Sequence, residues 1–179
     1  MGKLVLLINL EVAMFRSKDF YFKNIYDLKG NKIGRTKDIF IDFNRGEVVG
    51  IKVSNFKLKG KKNYLDVKNI ISFDEDILVT ELDYKEGLKF SEIKEMEVID
   101  KEGNVRGELE DLIVDEETYK ITGLIISGGI IDKIIKGKEI ILINQSILGE
   151  DYILYLGDDT IVVKNLPREA STYDNYKKA

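Results

Sequence analysis

The chain has 179 residues, of which 44% are hydrophobic and 34% charged, and its formal net charge is −4. This balance is typical of one or two folded globular domains rather than of a disordered chain. Because the sequence contains neither cysteine nor histidine, it excludes disulfides, thiolate nucleophiles, Cys- or His-ligated metal sites and the commonest general base near neutral pH. We therefore expect no enzyme activity and no cofactor.

The N-terminal extension, residues 1–14, contains an uncharged run from Leu4 to Leu10. A membrane-spanning helix needs about 20 apolar residues, so this run is too short for one. It also lacks the small-residue cleavage site of a secretory signal, and we therefore expect a cytoplasmic protein without a membrane span. Two interpretations of the extension remain open: an added edge strand, or an upstream segment that precedes a working start at Met14.

A first β unit is predicted over residues 15–90. Its apolar residues alternate with other residues over short stretches, which is the period of two expected of half-buried strands. Gly30 and Asn31, residue types that tolerate positive φ, mark a turn between two of these stretches. Five or six short strands with tight turns favour a small β-barrel. The predicted strands lie at 22–27, 39–43, 49–53, 64–67 and, as two strands, within 71–80.

An internal duplication relates this unit to a second one, predicted over residues 91–165. Residues 25–54 are repeated by residues 98–127 without a gap, each 73 positions before its counterpart. Beyond Ser127 the offset becomes 76, so three residues were inserted into the following loop. The glycines of the predicted structural turns recur in pairs: Gly30 with Gly103, Gly34 with Gly107, and Gly50 with Gly123.

The predicted fold class is all-β, with two tandem small barrels and short helical turns in the linkers. The linker at 80–95 is too polar and too short for a long helix, and Ser91 is the expected cap of a single helical turn. After Pro167, the only proline, apolar periodicity is lost. We expect residues 166–179 to form a mobile tail.

The turn-and-strand pattern of both copies resembles the PRC-barrel family, the small β-barrel of the photosynthetic reaction-centre H subunit and of the ribosome-maturation factor. In the first copy it comprises Asp27-x-x-Gly30-Asn31 and the strand residues at 38–42 and 47–53, and the second copy fits it at 100–103 and 123–126. Members of this family look like interaction modules rather than enzymes. The resemblance therefore implies barrels over most of residues 15–165 and no catalytic residue.

A lysine-rich segment lies in the first unit, where Lys57, Lys59, Lys61 and Lys62 are flanked by aromatic residues. Positive charges beside aromatic rings can bind a phosphate backbone and stack a base, so RNA contact is one interpretation. Residues 1–90 carry 17 basic and 13 acidic side chains, whereas residues 91–179 carry 11 and 19. The alternative is a solvated loop or a guard of an edge strand, which the overall negative charge favours.

The lengthened loop of the second unit carries four isoleucines, spaced for one face of a helical turn. Exposed apolar clusters usually indicate contact with a partner, so this loop is a candidate partner site. The alternative is a plug in the end of the second barrel or in the seam between the barrels. The four residues are Ile130, Ile131, Ile134 and Ile135.

Two pairs of aspartates four residues apart, Asp38 with Asp42 and Asp111 with Asp115, are the candidates for acid–base chemistry. In a strand the two side chains of a pair share a face but lie about 13 Å apart, at about 3.3 Å per residue. This is too far for a catalytic carboxylate pair. We interpret these aspartates as turn and strand-end carboxylates.

Taken together, these patterns predict a non-enzymatic protein-interaction module, an adaptor that binds another protein or itself. No small-molecule substrate is evident from the sequence. The alternative is an RNA- or ribosome-associated factor that uses the lysines at 57–62.

Overall fold

The computed structural model describes residues 14–54, 62–128, 138–158 and 161–163. Within these residues most of the regular structure is β-strand, and the only α-helix is the single turn α1 (Phe90–Ile93). No helix in this part of the chain has the length and hydropathy needed to cross a membrane. The predicted all-β class is confirmed.

The first unit is a six-stranded sheet. After β1 (Met14–Arg16), which lies outside it, its strands are β2 (Asn24–Tyr26), β3 (Lys32–Asp42), β4 (Glu47–Ser54), β5 (Tyr64–Asp66), β6 (Ile70–Phe73) and β7 (Ile77–Val79). They lie in the order β5-β4-β3-β2-β7-β6, antiparallel except for β2 and β7. The sheet contains every strand predicted for the first copy.

The second unit repeats this arrangement. Its strands are β8 (Glu97–Asp100), β9 (Val105–Asp115), β10 (Ile121–Ser127), β11 (Lys138–Ile141), β12 (Ser146–Leu148), β13 (Tyr152–Tyr155) and β14 (Ile161–Val163). The order β11-β10-β9-β8-β13-β12 matches that of the first unit strand for strand, with β8 and β13 parallel. β14 adds to β11 at one edge. The predicted duplication is therefore a duplication of strand order as well as of sequence.

A turn closed by an aspartate precedes the long strand of each unit. Asp27 accepts a hydrogen bond from the backbone N–H of Asn31 at 2.9 Å, and Asp100 accepts the equivalent bond from Asn104 at 2.8 Å. Hydrogen bonds from these asparagines, through side chain and backbone, lower the pKa of both carboxyl groups. An aspartate that bonds to the backbone in this way favours a tight turn.

Gly30 and Gly103 have matching left-handed backbones, with φ of 78° and 84°. A Cβ added at either position would meet no atom within 4 Å, so alanine would introduce backbone strain and no clash. We expect Gly30→Ala and Gly103→Ala each to lower the free energy of unfolding by about 1 kcal/mol. Urea denaturation followed by circular dichroism measures both. Losses that differ by more than about 0.5 kcal/mol would contradict the equivalence of the two turns.

Each unit begins with a short arm that forms its backbone pairing with a strand of the other unit. The first arm, residues 14–20, contains β1, which pairs with β9 and sets Arg16 opposite Ile113. The second arm, residues 87–93, contacts β3, where Lys89 lies opposite Phe40. Because Lys89 and Phe40 are the counterparts of Arg16 and Ile113 at the 73-residue offset, the exchange of arms is reciprocal.

A helical turn ends each arm and is closed by an acidic side chain. Asp19 accepts a hydrogen bond from the backbone N–H of Arg16 at 2.6 Å, and Glu92 accepts the equivalent bond from Lys89 at 3.0 Å. The predicted single helical turn in the linker is confirmed, as α1. Its predicted cap is wrong, because Ser91 lies inside the turn and the carboxylate of Glu92 reaches back to the free N–H group instead.

An approximate two-fold axis relates the units and passes between Glu47 and Lys120. These two residues are counterparts, lie opposite one another and form a salt bridge. Beside them the backbone N–H of Val48 donates to the carbonyl of Tyr119 at 2.9 Å, and the counterparts of these residues form the same bond at 2.8 Å. One continuous hydrophobic core extends through both units, so the two halves form a single packed body.

Candidate interaction surface

An exposed row of apolar side chains crosses four consecutive strands of the second unit: β12, β13, β8 and β9. Ile147 lies opposite Leu154, which in turn lies opposite Ile99. Ile99 lies opposite Val105 on the next strand. The two end residues, Ile147 and Val105, are 52% and 61% exposed, and the two between them are partly exposed. We call these four residues the apolar row.

Strand alternation places the apolar row on the outer face of the sheet. Val98 and Ile153, each adjacent in sequence to a row residue, are fully buried in the core. Successive side chains of a strand point to opposite faces of the sheet, so Ile99 and Leu154 point away from the core. Tyr152 and Leu156, two residues to either side of Leu154, are 44% and 46% exposed and extend the apolar surface.

The fold does not require an apolar side chain at every position of this surface. Three of the four row residues, Ile99, Ile147 and Leu154, have apolar counterparts in the first unit, but the fourth and the two flanking residues do not. The first unit has the same strands in the same order, and three of its counterparts to this surface are polar or charged and exposed. The same fold therefore accepts polar side chains at these three positions. Val105, Tyr152 and Leu156 of the second unit correspond to Lys32, Asp76 and Thr80 of the first.

Carboxylates line one side of the apolar row. Glu97 and Glu108 lie directly opposite one another on β8 and β9, and both are exposed. Tyr152 flanks Glu97 on the neighbouring strand β13. In the described part of the chain, neither glutamate forms a salt bridge. Like charges opposite one another on a sheet repel, so a bound cation would stabilise this side of the row.

The buried aspartates of the two long strands anchor the exchanged arms. Asp111, 7% exposed, forms a salt bridge with Arg16 at 2.6 Å and accepts a hydrogen bond from the backbone N–H of Ser17 at 2.9 Å. Its counterpart Asp38 accepts a longer and weaker hydrogen bond, of 3.4 Å, from the backbone N–H of Ser91 in the second arm. The interpretation of these two aspartates as turn or strand-end residues is wrong, since both lie within strands, where an arm brings the hydrogen-bond donors.

The other two aspartates of the predicted pairs do end strands. Asp42 ends β3 and accepts a hydrogen bond from the backbone N–H of Arg45 at 3.0 Å. Asp115 ends β9 and accepts the equivalent bond from Thr118 at 2.8 Å. Hydrogen bonds from the side chain and backbone of Thr118 lower the pKa of Asp115. The interpretation as strand-end carboxylates is confirmed for these two.

Two tyrosines that lie beside aspartates, the partly buried Tyr21 and the buried Tyr64, have raised pKa values. Burial and the neighbouring carboxylate of Asp38 raise the pKa of Tyr21 well above its ordinary value. Burial and the carboxylate of Asp66 raise the pKa of Tyr64 to about 12. Both phenols therefore keep their protons near neutral pH, and the hydroxyl of Tyr64 donates a hydrogen bond to the carbonyl of Val49 at 2.6 Å. They serve as hydrogen-bond donors.

Two open cavities lie beside the hairpin turn at 43–46, with volumes of about 370 and 290 Å³. The charged residues that line the first are Asp42 and Lys85, and those that line the second are Arg45 and Lys120. Neither cavity has two carboxylates in its lining. Among the residues that the structure describes, no group of three or more acidic side chains could hold a metal ion.

The predicted structural glycines divide into two groups. Gly30 and Gly103 lie in turns, as predicted, whereas the other four lie within strands. There they allow close approach of neighbouring chain: a Cβ on Gly34 would lie 2.9 Å from the carbonyl oxygen of Ser54, and one on Gly123 would lie 2.9 Å from the Cγ2 of Ile140. The four strand glycines are Gly34, Gly50, Gly107 and Gly123.

Most of the predicted contact residues lie outside the described residues. For the candidate partner loop this holds for Ile130, Ile131, Ile134 and Ile135, and for the candidate RNA segment it holds for Lys57, Lys59 and Lys61. The remaining lysine, Lys62, is exposed. Both hypotheses therefore stay predictions, and the apolar row is a separate surface that sequence reasoning did not identify.

Comparison with known proteins agrees with the two-unit architecture. The PRC-barrel domain model matches the chain twice, over residues 13–87 and over residues 85–168. No curated protein is similar enough in sequence to match it. Two matches that together span most of the chain, on two sheets of identical strand order, lead to one conclusion: the protein belongs to the PRC-barrel family, with two PRC-barrel domains in tandem.

Proposed function

We propose that this protein is a non-enzymatic adaptor that binds another protein through the outer face of its second unit. The observation that carries the proposal is the exposed apolar surface formed by the row with Tyr152 and Leu156, because three of its positions, Val105 among them, are polar in the first unit. Exposed apolar surface is unfavourable in water unless a partner covers it. The reciprocal arms and the continuous core support the proposal, because a rigid body holds a contact surface in a fixed shape.

The counterpart residues of the first unit supply the variant that tests this proposal. In Val105→Lys with Leu156→Thr, each new residue is the one that the first unit carries at the same place. We therefore expect the fold to tolerate both changes, with a melting temperature close to that of the wild type. Affinity capture from the native cells, followed by mass spectrometry, should show proteins that bind the wild type and are lost from this variant.

Lys32→Gln is the matched control, because Lys32 occupies the position of Val105 in the first unit. It should retain the proteins captured by the wild type. If the double variant melts normally and captures the same proteins as the wild type, the adaptor proposal for this face is wrong. Proteins that are lost equally from the control would also count against it, since the loss would then not depend on the apolar surface.

A further inference from the structure

We propose that the outer face of the second unit binds a basic amphipathic helix of its partner. This inference rests on the proposed function and specifies the chemistry of the partner at that face. It is carried by the register of the apolar row, by the two glutamates beside it, which form no salt bridge with any residue that the structure describes, and by the hydrogen bonding of the strands beneath.

Hydrogen bonding within the sheet favours a helix over an added strand. β13 pairs with β12 and β8, β8 pairs with β13 and β9, and β9 pairs with β8 and β10. The backbone groups of these three strands are therefore used within the sheet, and the face offers side chains only. A sheet face without free backbone groups is usually covered by a helix or by another sheet, whereas added strands pair at a sheet edge.

The length of the apolar row fits about three helical turns. The row crosses four strands, and three spacings of about 4.8 Å give a length of about 14 Å. At a rise of about 1.5 Å per residue, a helix of about 10 residues spans this distance. Apolar residues at positions i, i+3, i+4 and i+7 of such a helix lie on one face and can contact successive row residues.

The two glutamates beside the row determine the charge of the partner. Glu97 lies two residues before Ile99 on β8, and Glu108 lies opposite Glu97 on β9. At about 3.3 Å per residue, both carboxylates therefore border the row about 6.6 Å from its centre line. Lysine or arginine beside the apolar face of the partner helix would relieve the repulsion between the two carboxylates. Tyr152, next to Glu97, adds an aromatic ring that favours a cation at the same place.

A synthetic helical peptide serves as the probe, with leucines at helical spacing and lysines flanking them, over about 14 residues. Fluorescence anisotropy measures its binding to the full chain. We expect Glu97→Gln with Glu108→Gln to weaken the affinity about three- to tenfold. Glu75→Gln with Glu81→Gln, which removes the same charge from exposed positions of the first unit, should leave the affinity unchanged. The same peptide with glutamate in place of lysine should not bind.

Several outcomes would overturn the inference. These are equal binding of the lysine and glutamate peptides, no binding of either, or the same loss of affinity from the control variant. Sedimentation that shows a dimer of the wild type, dissociated by Val105→Lys with Leu156→Thr, would assign the face to a second copy of the chain instead. Failure here leaves the adaptor proposal standing if native partners are still lost from that variant, and both proposals fail if they are not.

Discussion

Replacing Asp111 with alanine is expected to lower the free energy of unfolding by about 3–5 kcal/mol. The carboxylate accepts two hydrogen bonds from Ser17, at 2.9 Å from its backbone N–H and at 2.5 Å from its hydroxyl. It also pairs with the guanidinium of Arg16, whose side chain is only 22% exposed. Without it, a cation and a buried N–H group lose their partner, and the first arm loses its anchor on β9. Denaturation followed by circular dichroism measures the loss.

The counterpart change Asp38→Ala is the internal control for this prediction. Asp38 is buried to the same degree, but its bonds to the Tyr21 hydroxyl and the Ser91 N–H are both 3.4 Å long. No salt bridge to Asp38 is present in the described residues. We expect a loss of about 1–2 kcal/mol. If Asp38→Ala costs as much as the change at Asp111, the salt bridge to the first arm is not what stabilises the contact.

The second large effect is expected from Phe20→Ala, which should cost about 3–5 kcal/mol. Phe20 is 1% exposed, and its ring lies 5.3 Å from that of Phe15 and 5.1 Å from that of Phe73, measured between centroids. It therefore joins β1 in the first arm to β6 in the first unit. Removing the ring leaves a cavity between the two, and thermal or urea denaturation would detect the loss.

Phe22→Ala is the control for this change, because the same atoms are removed from a side chain that is 73% exposed. Alanine keeps the backbone conformation of Phe22, whose φ is 63°, so little strain is added or relieved. We expect a change within about 0.5 kcal/mol. Similar losses from the two variants would mean that Phe20 does not pack as the structure indicates.

The strands and turns could be predicted because their signals are local. Alternation over 39–43 and 49–53 placed parts of β3 and β4, and the glycine at 30 placed the turn before them. The full length of β3 could not be predicted, since Lys32, Arg35 and Lys37 interrupt the apolar pattern. Lys32 and Arg35 are extended because they pair with β2, and Arg35 also pairs with the end of β4. Lys37 lies at an irregularity between two residues that pair with β4. All of these contacts depend on partners distant in sequence.

The exchange of arms could not be predicted from the duplication. A repeat at a fixed offset shows which residues are equivalent. It is equally compatible with arms that pair within their own unit and with arms that pair with the other unit. The choice depends on tertiary contacts such as that between Arg16 and Asp111, which are 95 residues apart. The sequence contains 28 basic and 32 acidic residues, so its charge pattern alone does not single out this pair.

The apolar row had a signal that strand-by-strand reading overlooks. The second unit is apolar on both faces near its end, at 147 and 152–156, and comparison at the fixed offset would have shown Val105 against Lys32 and Leu156 against Thr80. The alignment of the row across four strands and the pairing of Glu97 with Glu108 needed the register of the sheet. No feature of the linear sequence specifies that register across the parallel pair.

The reciprocal arms also have a consequence for the order in which the protein is made. A ribosome releases β1 long before β9 exists, so β1 has no strand to pair with until residue 115 has been synthesised. The strand β3 likewise lacks its contact with the second arm until residues 87–93 have emerged from the ribosome. Neither domain can therefore reach its final packing while the other is incomplete. We expect the nascent chain to close both barrels together, after synthesis of the second long strand, rather than one domain at a time.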